Sequence, residues 1–468
     1  MLAGMEDEPV FTTAISRAVW DAKYRYREGE AVRDGGVADT WRRVAGALAA
    51  PERDRERWAG RFFRLLEGFA FLPGGRILAG AGTRNEVTLF NCFVMGVIDD
   101  SMEGIFDSLK EGALTMQQGG GVGYDFSTLR PAGVPARHTG TIASGPVSFM
   151  RIWDAMCGTV LSTGARRGAM MATLRCDHPD IEAFVEAKAE AGELRRFNVS
   201  VQVTDAFMAA VQRDEPWPLV FPAEAVGEGE ETVERRWPGY EGEVPCRVLK
   251  RVPARDLWQR IMRATYDYAE PGAMFVDRVN RENNLWYRER ISATNPCGEI
   301  PLPPYGACDL GSVNLTRFVR RPFTAAAHLD LEGIAETVTT AVRLMDNVID
   351  VSRFPLEAQA ERARGTRRIG LGVTGLGDAL ILLGLRYDSE PARQQAARAM
   401  AAICHAAYRA SIALAEEKGP FPYFERDRYL QSAFVQALPE DIQAGIARSG
   451  IRNSHLTAIA PTGTISLL

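Results

Sequence analysis

Apolar residues recur at three- and four-residue spacing through the first 70 residues of the chain. The segments AISRAVWDAKYRY, DTWRRVAGALAA and WAGRFFRLLEGFAF follow this spacing, which predicts amphipathic helices over residues 12–70. The turn-rich stretch FLPGGRILAGAGT then ends the helical pattern. We therefore predict that residues 1–75 form a helical N-terminal segment.

From about residue 85 the pattern changes to short apolar runs that alternate with helical periodicity. The runs VTLFNCFVMG, FNVSVQV and LTAIA are typical of buried strands, whereas SMEGIFDSLKEGALTM, VSFMRIWDAMCGTVL and DIEAFVEAKAEA are typical of helices. This alternation favours an α/β fold with parallel strands, which we assign to residues 76–468. The acidic stretch 224–243 predicts an exposed loop or hairpin.

The composition limits the possible classes of protein. A chain of 468 residues with 46% hydrophobic and 25% charged residues is typical of a soluble globular protein. The net charge of -5 offers no basic surface for duplex nucleic acid. No signal peptide opens the chain, and no apolar run reaches the roughly 18 residues of a membrane helix. We expect a cytoplasmic protein without nucleic-acid or membrane partners.

Seven cysteines are scattered along the chain without a CxxC pair, and only five histidines are present, so we expect no metal site. The loop NPCGE places Asn295, Cys297 and Glu299 at alternate positions. Pro296 disfavours a helical conformation at the residue before it, and Gly298 permits an unusual backbone angle. Such a loop can aim an amide, a thiol and a carboxylate at one ligand. An ordinary Pro/Gly turn with a buried cysteine is the alternative.

Two further cysteines attract attention. Cys308 follows Cys297 by eleven positions, and Cys92 lies in the apolar run LFNCFVMG of a predicted buried strand. A lone cysteine on an apolar strand is usually a packing residue, and the spacing does not establish that Cys92 and Cys308 meet.

Three more segments could contact phosphate or a nucleotide. IAPTGTIS, residues 459–466, leads from an apolar strand end into a hydroxyl-rich turn before a predicted helix N-terminus. Arg166 and Arg167 lie in a small-residue loop that suits phosphate or base contacts, or that is merely exposed. IGLGVTG, residues 369–375, fits GxGxxG, but the polar residues upstream disfavour dinucleotide binding. The glycine-rich MQQGGGVGYDFSTLRP predicts a close backbone approach or a turn before a strand.

The order of these motifs resembles the ribonucleotide reductase large-subunit family from about residue 15 to the last residue. The strand cysteine, QQGGGVGYDFSTLRP, RRGAMMATLRCDHPDIEAF, NPCGE with its second cysteine, and PTGTIS occur in family order. The resemblance implies a ten-stranded α/β barrel behind a helical N-terminal segment. It also implies reduction of ribonucleoside diphosphates to 2′-deoxyribonucleoside diphosphates, by a thiyl-radical mechanism, for DNA precursor synthesis.

The resemblance implies a role for each matching residue. Cys297 would carry the thiyl radical, Glu299 would be the base on the 3′-hydroxyl, and Asn295 would hydrogen-bond the ribose. Cys92 and Cys308 would be the dithiol that is oxidised to a disulfide. The implied substrate contacts are Gly74, Asn91 and the phosphate loop Pro461, Thr462, Gly463, Thr464, Ile465 and Ser466, and the implied effector contacts are Asp100, Ser101, Arg166 and Arg167.

The N-terminal sequence has no ATP-binding cone domain in residues 1–50, and in this it resembles the adenosylcobalamin-dependent class II enzymes. We therefore expect adenosylcobalamin as cofactor, deoxynucleoside triphosphate effectors, a thioredoxin-type reductant and a homodimer. Because the chain ends at the phosphate loop, we expect that the last barrel strands are missing from a truncated chain. The alternatives are an oxygen-dependent class I large subunit, a truncated nucleotide-binding paralogue without catalysis, and a nicotinamide dehydrogenase that uses IGLGVTG.

Overall fold

The computed structural model describes residues 11, 13–135, 142–162, 166–190, 192–227 and 229–468. The chain divides into two compact units. Cys92–Gly306 form one unit, here called the central unit, and Met1–Asn91 with Ala307–Leu468 form the other, here called the split unit. Among the described residues, no helix is long and apolar enough to cross a membrane. The predicted boundary after residue 75 stays a prediction.

The N-terminal part of the split unit is mainly helical, as predicted. Thr13 and Asp54 cap two of its helices, because their side chains accept hydrogen bonds from Ser16 N and Arg57 N. Its elements are α1 (Ala14–Lys23), β1 (Arg27–Glu28), β2 (Ala31–Val32), α2 (Val37–Leu48), α3 (Arg55–Leu66), β3 (Phe71–Pro73) and α4 (Gly75–Gly80).

The central unit alternates strands and helices. Its strands are β4 (Cys92–Val94), β5 (Gly121–Asp125), β6 (Leu161–Ser162), β7 (Arg166–Arg167), β8 (Met170–Arg175), β9 (Phe197–Val203), β10 (Pro216–Pro222), β11 (Thr232–Arg236), β12 (Glu243–Pro253), β13 (Gly272–Phe275), β14 (Ala293–Thr294) and β15 (Pro301–Leu302). Its helices are α5 (Met102–Gln117), α6 (Pro146–Thr159), α7 (Ile181–Glu186), α8 (Asp205–Arg213), α9 (Ala223–Val226), α10 (Ala254–Tyr268) and α11 (Val276–Arg281).

A parallel sheet forms the core of the central unit. Its strand order is β4-β5-β8-β9-β13, and every neighbouring pair is parallel, with Cys92 opposite Gly121. All six residues of β8 are buried, as expected for a sheet covered on both faces. The predicted α/β fold with parallel strands is therefore confirmed. The predicted helix DIEAFVEAKAEA is shorter than expected, since α7 covers only its first half.

The stretch 224–243 contains one arm of an antiparallel hairpin. Strand β11 pairs with β12, which also pairs with β10. The hairpin prediction is confirmed, but the stretch is not wholly exposed. Trp237 is 3% exposed and donates its indole N–H to the Ser127 carbonyl at 3.2 Å. One buried aromatic residue thus fixes an otherwise charged segment to the core.

The C-terminal part of the split unit contains β16 (Ala307–Asn314), β17 (Val319–Arg320), β18 (His328–Leu329), α12 (Leu331–Val351), α13 (Glu357–Thr366), β19 (Ile369–Thr374), α14 (Leu376–Leu382), α15 (Glu390–Lys418), α16 (Arg426–Tyr429), α17 (Ala433–Gln436) and α18 (Glu440–Ser449). Strand β16 pairs in parallel with β19 and antiparallel with β3. The chain also forms short 3-10 turns at Glu67–Phe69, Phe126–Thr128, Leu315–Phe318 and Ile465–Leu467.

The structure corrects one expectation in this part of the chain and agrees with another. The run LTAIA is not a strand: only Thr457 forms an isolated parallel bridge, with Leu371. The GxGxxG match is also not a phosphate-binding turn, because Gly370 and Gly372 lie inside β19. A Cβ at Gly372 would collide with the Ala458 carbonyl, so this glycine serves a close approach of two chain segments. The dinucleotide fingerprint is therefore absent from this segment.

Candidate active site

The NPCGE sequence forms the turn of a short hairpin in the central unit. Strands β14 and β15 pair antiparallel and enclose residues 295–300. The Asn295 N–H donates to the Ile300 carbonyl at 3.3 Å, and the Ile300 N–H donates to Asn295 Oδ1 at 3.0 Å. Gly298 has a φ of 86°, which confirms the unusual backbone angle predicted there. The result is a tight loop closed by its own hydrogen bonds.

Three of the candidate residues converge at this loop. Asn295 Nδ2 donates to Glu299 Oε2 at 2.6 Å and to Cys92 Sγ at 3.1 Å. The Cys92 thiol donates to Glu299 Oε1 at 3.7 Å. Asn295 is 1% exposed and Cys92 is 4% exposed, so the amide and the thiol are shielded from water. A carboxylate this close to a hydroxyl or thiol can act as a general base.

Cys297 lies in the same loop but, unlike Cys92, is exposed. A large cofactor or reagent can therefore reach the Cys297 thiol, while the Cys92 thiol is covered. Within the described part of the chain, no group of three or more His, Cys, Asp or Glu side chains could hold a metal ion. That Cys297, Asn295, Glu299 and Cys92 act on one ligand stays a prediction.

Polar side chains of the neighbouring strands hold the loop, and the sequence reasoning missed them. Asn198 Nδ2 on β9 donates to the Pro296 carbonyl at 2.6 Å, and Thr173 Oγ1 on β8 donates to the Ser292 carbonyl at 3.1 Å. Gln202 Nε2 in turn donates to Thr173 Oγ1 at 3.1 Å. The available signal was the polar residues at alternate positions of FNVSVQV, which place Asn198 and Gln202 on one face of β9.

A glycine makes room for the same loop on the adjacent strand. Gly123 lies on β5, and a Cβ there would collide with the Thr294 carbonyl. The close backbone approach predicted for QQGGGVGYDFSTLRP is therefore confirmed at Gly123. The glycine brings the start of the NPCGE loop directly onto the parallel sheet.

Cys308 belongs to the split unit, at the start of β16. Its side chain is 0% exposed, and its thiol donates to the Asp309 carbonyl at 3.3 Å. Gly370 on β19 leaves room for the sulfur, since a Cβ there would lie 3.1 Å from Cys308 Sγ. Cys92 belongs to the central unit. The pairing of Cys92 with Cys308 as a redox dithiol stays a prediction.

Gly74 and Asn91, both in the split unit, are neighbours in space. Gly74 N–H donates to the Leu310 carbonyl at 2.7 Å, and a Cβ at Gly74 would lie 2.9 Å from Asn91 Oδ1. Asn91 Oδ1 is buried and has no hydrogen-bond partner among the residues that the structure describes. A buried acceptor of this kind is costly unless a ligand or water satisfies it. Their predicted role in substrate binding stays a prediction.

The phosphate-loop candidate is anchored to the end of β19. The hydroxyls of Thr462 and Thr374 lie 3.5 Å apart, and Thr462 adopts a positive φ of 49°. Ser466 N–H donates to the Thr462 carbonyl at 2.9 Å. The segment after the turn is a 3-10 turn at Ile465–Leu467 rather than the start of an α-helix. Pro461, Gly463 and Thr464 are exposed, and their contact with phosphate stays a prediction.

Two of the four effector candidates lie where α5 begins. Ser101 is the N-cap of α5, as predicted, and its hydroxyl accepts from Gly104 N at 3.0 Å. Asp100 accepts from Arg130 Nε at 2.8 Å and from Arg130 N at 3.1 Å. Arg130 is 9% exposed and was not singled out from the sequence. The Arg130 guanidinium therefore holds the Asp100 carboxylate beside this helix start.

The sequence predicted a loop for Arg166 and Arg167, and this prediction is wrong. They form β7, which pairs antiparallel with β6 and leads into β8. Residues 163–165 between the two short strands lie outside the described residues. The predicted effector role of this arginine pair is not tested by the hairpin and stays a prediction.

The parallel sheet and the thiol–amide–carboxylate loop define an α/β protein with a cysteine-based candidate active site. The family model for the ribonucleotide reductase barrel domain matches residues 90–468, and the one for the all-alpha domain matches residues 10–86. The chain therefore belongs to the ribonucleotide reductase large-subunit family. This match confirms the resemblance read from the motifs and the predicted barrel with an all-α N-terminal domain.

Curated relatives agree with this assignment. The chain is 42% identical to a vitamin B12-dependent ribonucleoside-diphosphate reductase of Mycobacterium tuberculosis, over all of the chain and 62% of that protein. It is 36% identical to a protein of the same description in Thermoplasma acidophilum, over 93% of the chain and 51% of that protein. A ribonucleoside-diphosphate reductase subunit alpha of Chlamydia trachomatis is 29% identical, over 96% of the chain and 45% of that protein. The chain thus spans about half to three-fifths of the length of these relatives.

Proposed function

We propose that the chain carries catalytic residues of a vitamin B12-dependent ribonucleoside-diphosphate reductase. The reaction is reduction of ribonucleoside diphosphates to 2′-deoxyribonucleoside diphosphates, which supplies precursors of DNA. The observation that carries the proposal is the hydrogen-bonded group of Cys92, Asn295 and Glu299 in the loop that also presents Cys297. The higher identity to the mycobacterial B12-dependent relative, 42% against 29% for the chlamydial subunit alpha, supports this class over the oxygen-dependent alternative.

Each side chain has one task in this reaction. A thiyl radical on Cys297 takes the 3′-hydrogen of the ribose, while Glu299 takes the proton of the 3′-hydroxyl and Asn295 hydrogen-bonds the sugar. The 2′-hydroxyl then leaves as water, with a proton from the Cys92–Cys308 dithiol. That dithiol supplies two electrons and its second proton, so that C2′ gains a hydrogen, and it becomes a disulfide, while Glu299 returns its proton to the 3′-oxygen. Cys297 finally returns the hydrogen to C3′, which regenerates the thiyl radical.

The residues of the loop fit a bulky radical-generating cofactor. Cys297 is exposed, whereas Cys92 is 4% exposed, so a large group has access to one thiol and not to the other. Adenosylcobalamin, when bound, would supply the one-electron chemistry that oxidises the Cys297 thiol to a thiyl radical. The chain's own contribution is to present Cys297 and to keep the reductant thiol Cys92 covered beside the half-buried Glu299.

Substrate contacts are proposed for the split unit. Asn91 Oδ1 is a buried acceptor that no described residue satisfies, which suits a substrate hydroxyl beside Gly74. The phosphate loop, residues 461–466, combines threonine hydroxyls with an exposed Gly463, which suits a diphosphate. A thioredoxin-type dithiol protein is the proposed reductant of the disulfide.

A deoxynucleoside triphosphate effector is proposed at the start of α5. Ser101 caps that helix, and Asp100 with Arg130 lies beside it. The segment containing Arg166 and Arg167 is proposed to pass the identity of the effector to the substrate site.

A homodimer is proposed through one face of α5. Met102, Phe106 and Leu114 follow each other at multiples of four residues and are 59%, 47% and 42% exposed. This spacing places all three on one side of the helix. Lys110 lies between Phe106 and Leu114 on this side, so the face combines exposed apolar side chains with a charge, a composition that suits an interface between two copies of the chain.

The test is reduction of CDP with dithiothreitol and adenosylcobalamin, with effectors supplied. It uses this chain and the same sequence extended through its natural reading frame. We expect activity in at least one of them, and we expect Cys297→Ala to abolish it even with excess chemical reductant. Cys404→Ala is the matched control, since Cys404 lies on α15 away from the NPCGE loop in sequence and has no proposed role. Absence of activity in both proteins, or full activity of Cys297→Ala, would overturn the proposal.

A further inference from the structure

Tyr305 has an unusual backbone conformation in the segment between the two functional cysteines of the C-terminal half. It lies eight residues after Cys297 and three before Cys308. Its φ is 60°, in the left-handed region that is costly for a residue with a Cβ. Such a conformation persists only where surrounding contacts hold it, and it is frequent at functional sites.

Two contacts within the central unit hold Tyr305. Its hydroxyl donates to the Glu111 carboxylate on α5, at 3.1 Å from one oxygen and 3.4 Å from the other. Its ring covers Gly96 so closely that a Cβ at that position would collide with the ring. Burial and the negative charge of Glu111 raise the pKa of Tyr305 to about 12, so the hydroxyl remains a donor at neutral pH.

The residues around Tyr305 are tied to the strand that carries Cys92. Gly306 N–H donates to the Pro303 carbonyl at 2.9 Å, which makes a turn around Tyr305. Val94 N–H on β4 donates to the Gly306 carbonyl, also at 2.9 Å. Cys92 lies two residues before Val94 on this strand. This backbone hydrogen bond thus attaches the end of the segment that begins with the NPCGE loop to β4, next to Tyr305.

We propose that Tyr305 and Glu111 are a positioning pair. Their hydrogen bond fastens the segment from residue 295 to residue 306 to helix α5 and strand β4. It thereby keeps Cys92 covered and within reach of Asn295 and Glu299. The pair acts through the segment that it holds and not on the substrate. Its effect on turnover rests on the proposed function, whereas its effect on the exposure of Cys92 does not.

The experiment measures the rate at which N-ethylmaleimide labels each cysteine in the native chain, quantified by peptide mass spectrometry. Tyr305→Phe keeps the ring on Gly96 and removes only the hydrogen bond. We expect it to raise the labelling rate of Cys92 by roughly fivefold, the factor that corresponds to the loss of one ordinary hydrogen bond. Three cysteines buried in the same unit, Cys157, Cys176 and Cys246, serve as internal controls and should keep their rates.

Variants of Glu111 distinguish the effect of losing the hydrogen bond from a general destabilisation of the central unit. Glu111→Gln keeps an acceptor, so its Cys92 should be labelled at the rate of the parent chain. In Glu111→Leu, Cys92 should be labelled at the rate seen in Tyr305→Phe. The labelling rate of Cys92 in the double variant Tyr305→Phe/Glu111→Leu should not exceed that in either single variant, because both substitutions remove the same interaction.

Two results would overturn the proposal: unchanged labelling of Cys92 in Tyr305→Phe, or an equal rise at the three control cysteines. In the active protein, Tyr305→Phe should lower kcat with little change in KM, whereas Glu111→Gln, which keeps an acceptor for the Tyr305 hydroxyl, should leave kcat close to that of the parent. If the parent protein has no reductase activity, the labelling result still decides the positioning role, and only the proposed function fails.

Discussion

Glu52 is a buried carboxylate on which the packing of the split unit depends. Arg343 donates to it from Nε at 2.8 Å and from Nη2 at 2.6 Å, and Lys418 Nζ donates at 2.9 Å. Asn347 Nδ2 adds a fourth hydrogen bond at 2.8 Å. Glu52 is 5% exposed, so burial opposes its charge, but these donors outweigh burial and lower its pKa from 4.5 to about 2. We predict that Glu52→Gln strongly destabilises the fold.

The magnitude follows from this pKa. A pKa lower by about 2.5 in the folded state than in the unfolded chain corresponds to about 3 kcal/mol of stability at pH 7. Loss of one partner from a buried ion pair typically costs about 3–5 kcal/mol, which agrees. Because the folded-state pKa is lowered, this stability is fully present above the unfolded value of 4.5 and falls as the pH approaches 2. At pH 3.5 about 2 kcal/mol should remain.

The assay is denaturant unfolding followed by circular dichroism, for the parent chain and Glu52→Gln at pH 7 and pH 3.5. Glu56→Gln is the matched control, since Glu56 is exposed in the first turn of α3 and should change stability by less than about 0.5 kcal/mol. Two results would refute the reasoning. One is a parent–variant difference under about 1 kcal/mol at pH 7, and the other is a difference that does not shrink at pH 3.5.

Two further changes test other features. Asp309 is fully buried, and within the described part of the chain no other residue donates a hydrogen bond to its carboxylate oxygens. Burial raises the pKa of this carboxyl group well above its ordinary value. A raised carboxyl pKa makes the parent chain lose stability as pH rises from about 4 towards the folded value. Asp309→Asn should therefore melt at a higher temperature than the parent at pH 8 but not at pH 4, and an equal or lower melting temperature at pH 8 contradicts this. Cys308→Ser should permit at most one turnover per active site with a thioredoxin-type reductant in a rapid-quench assay, and sustained turnover would refute its redox role.

The local sequence determined several features that the structure bears out. Asp54 and Ser101 begin helices because their side chains satisfy the first free N–H groups, a relation that needs only neighbouring residues. Gly298 takes its left-handed angle for a similar local reason. The alternation of apolar runs with helical periodicity likewise predicted parallel strands. The ordered motifs identified the family without any three-dimensional information.

Only the tertiary structure decided which distant groups meet. Asn295 and Cys92 are about 200 positions apart, and their hydrogen bond depends on the register of β4 and β5 and on the absence of a side chain at Gly123. The polar residues upstream of IGLGVTG already disfavoured dinucleotide binding, but only the structure shows that its glycines serve strand packing, because the segment around Ala458 lies against them. The bond between Tyr305 and Glu111 had no sequence signal. Local patterns record what a residue does to its own backbone, whereas contacts between distant residues depend on how the whole chain packs.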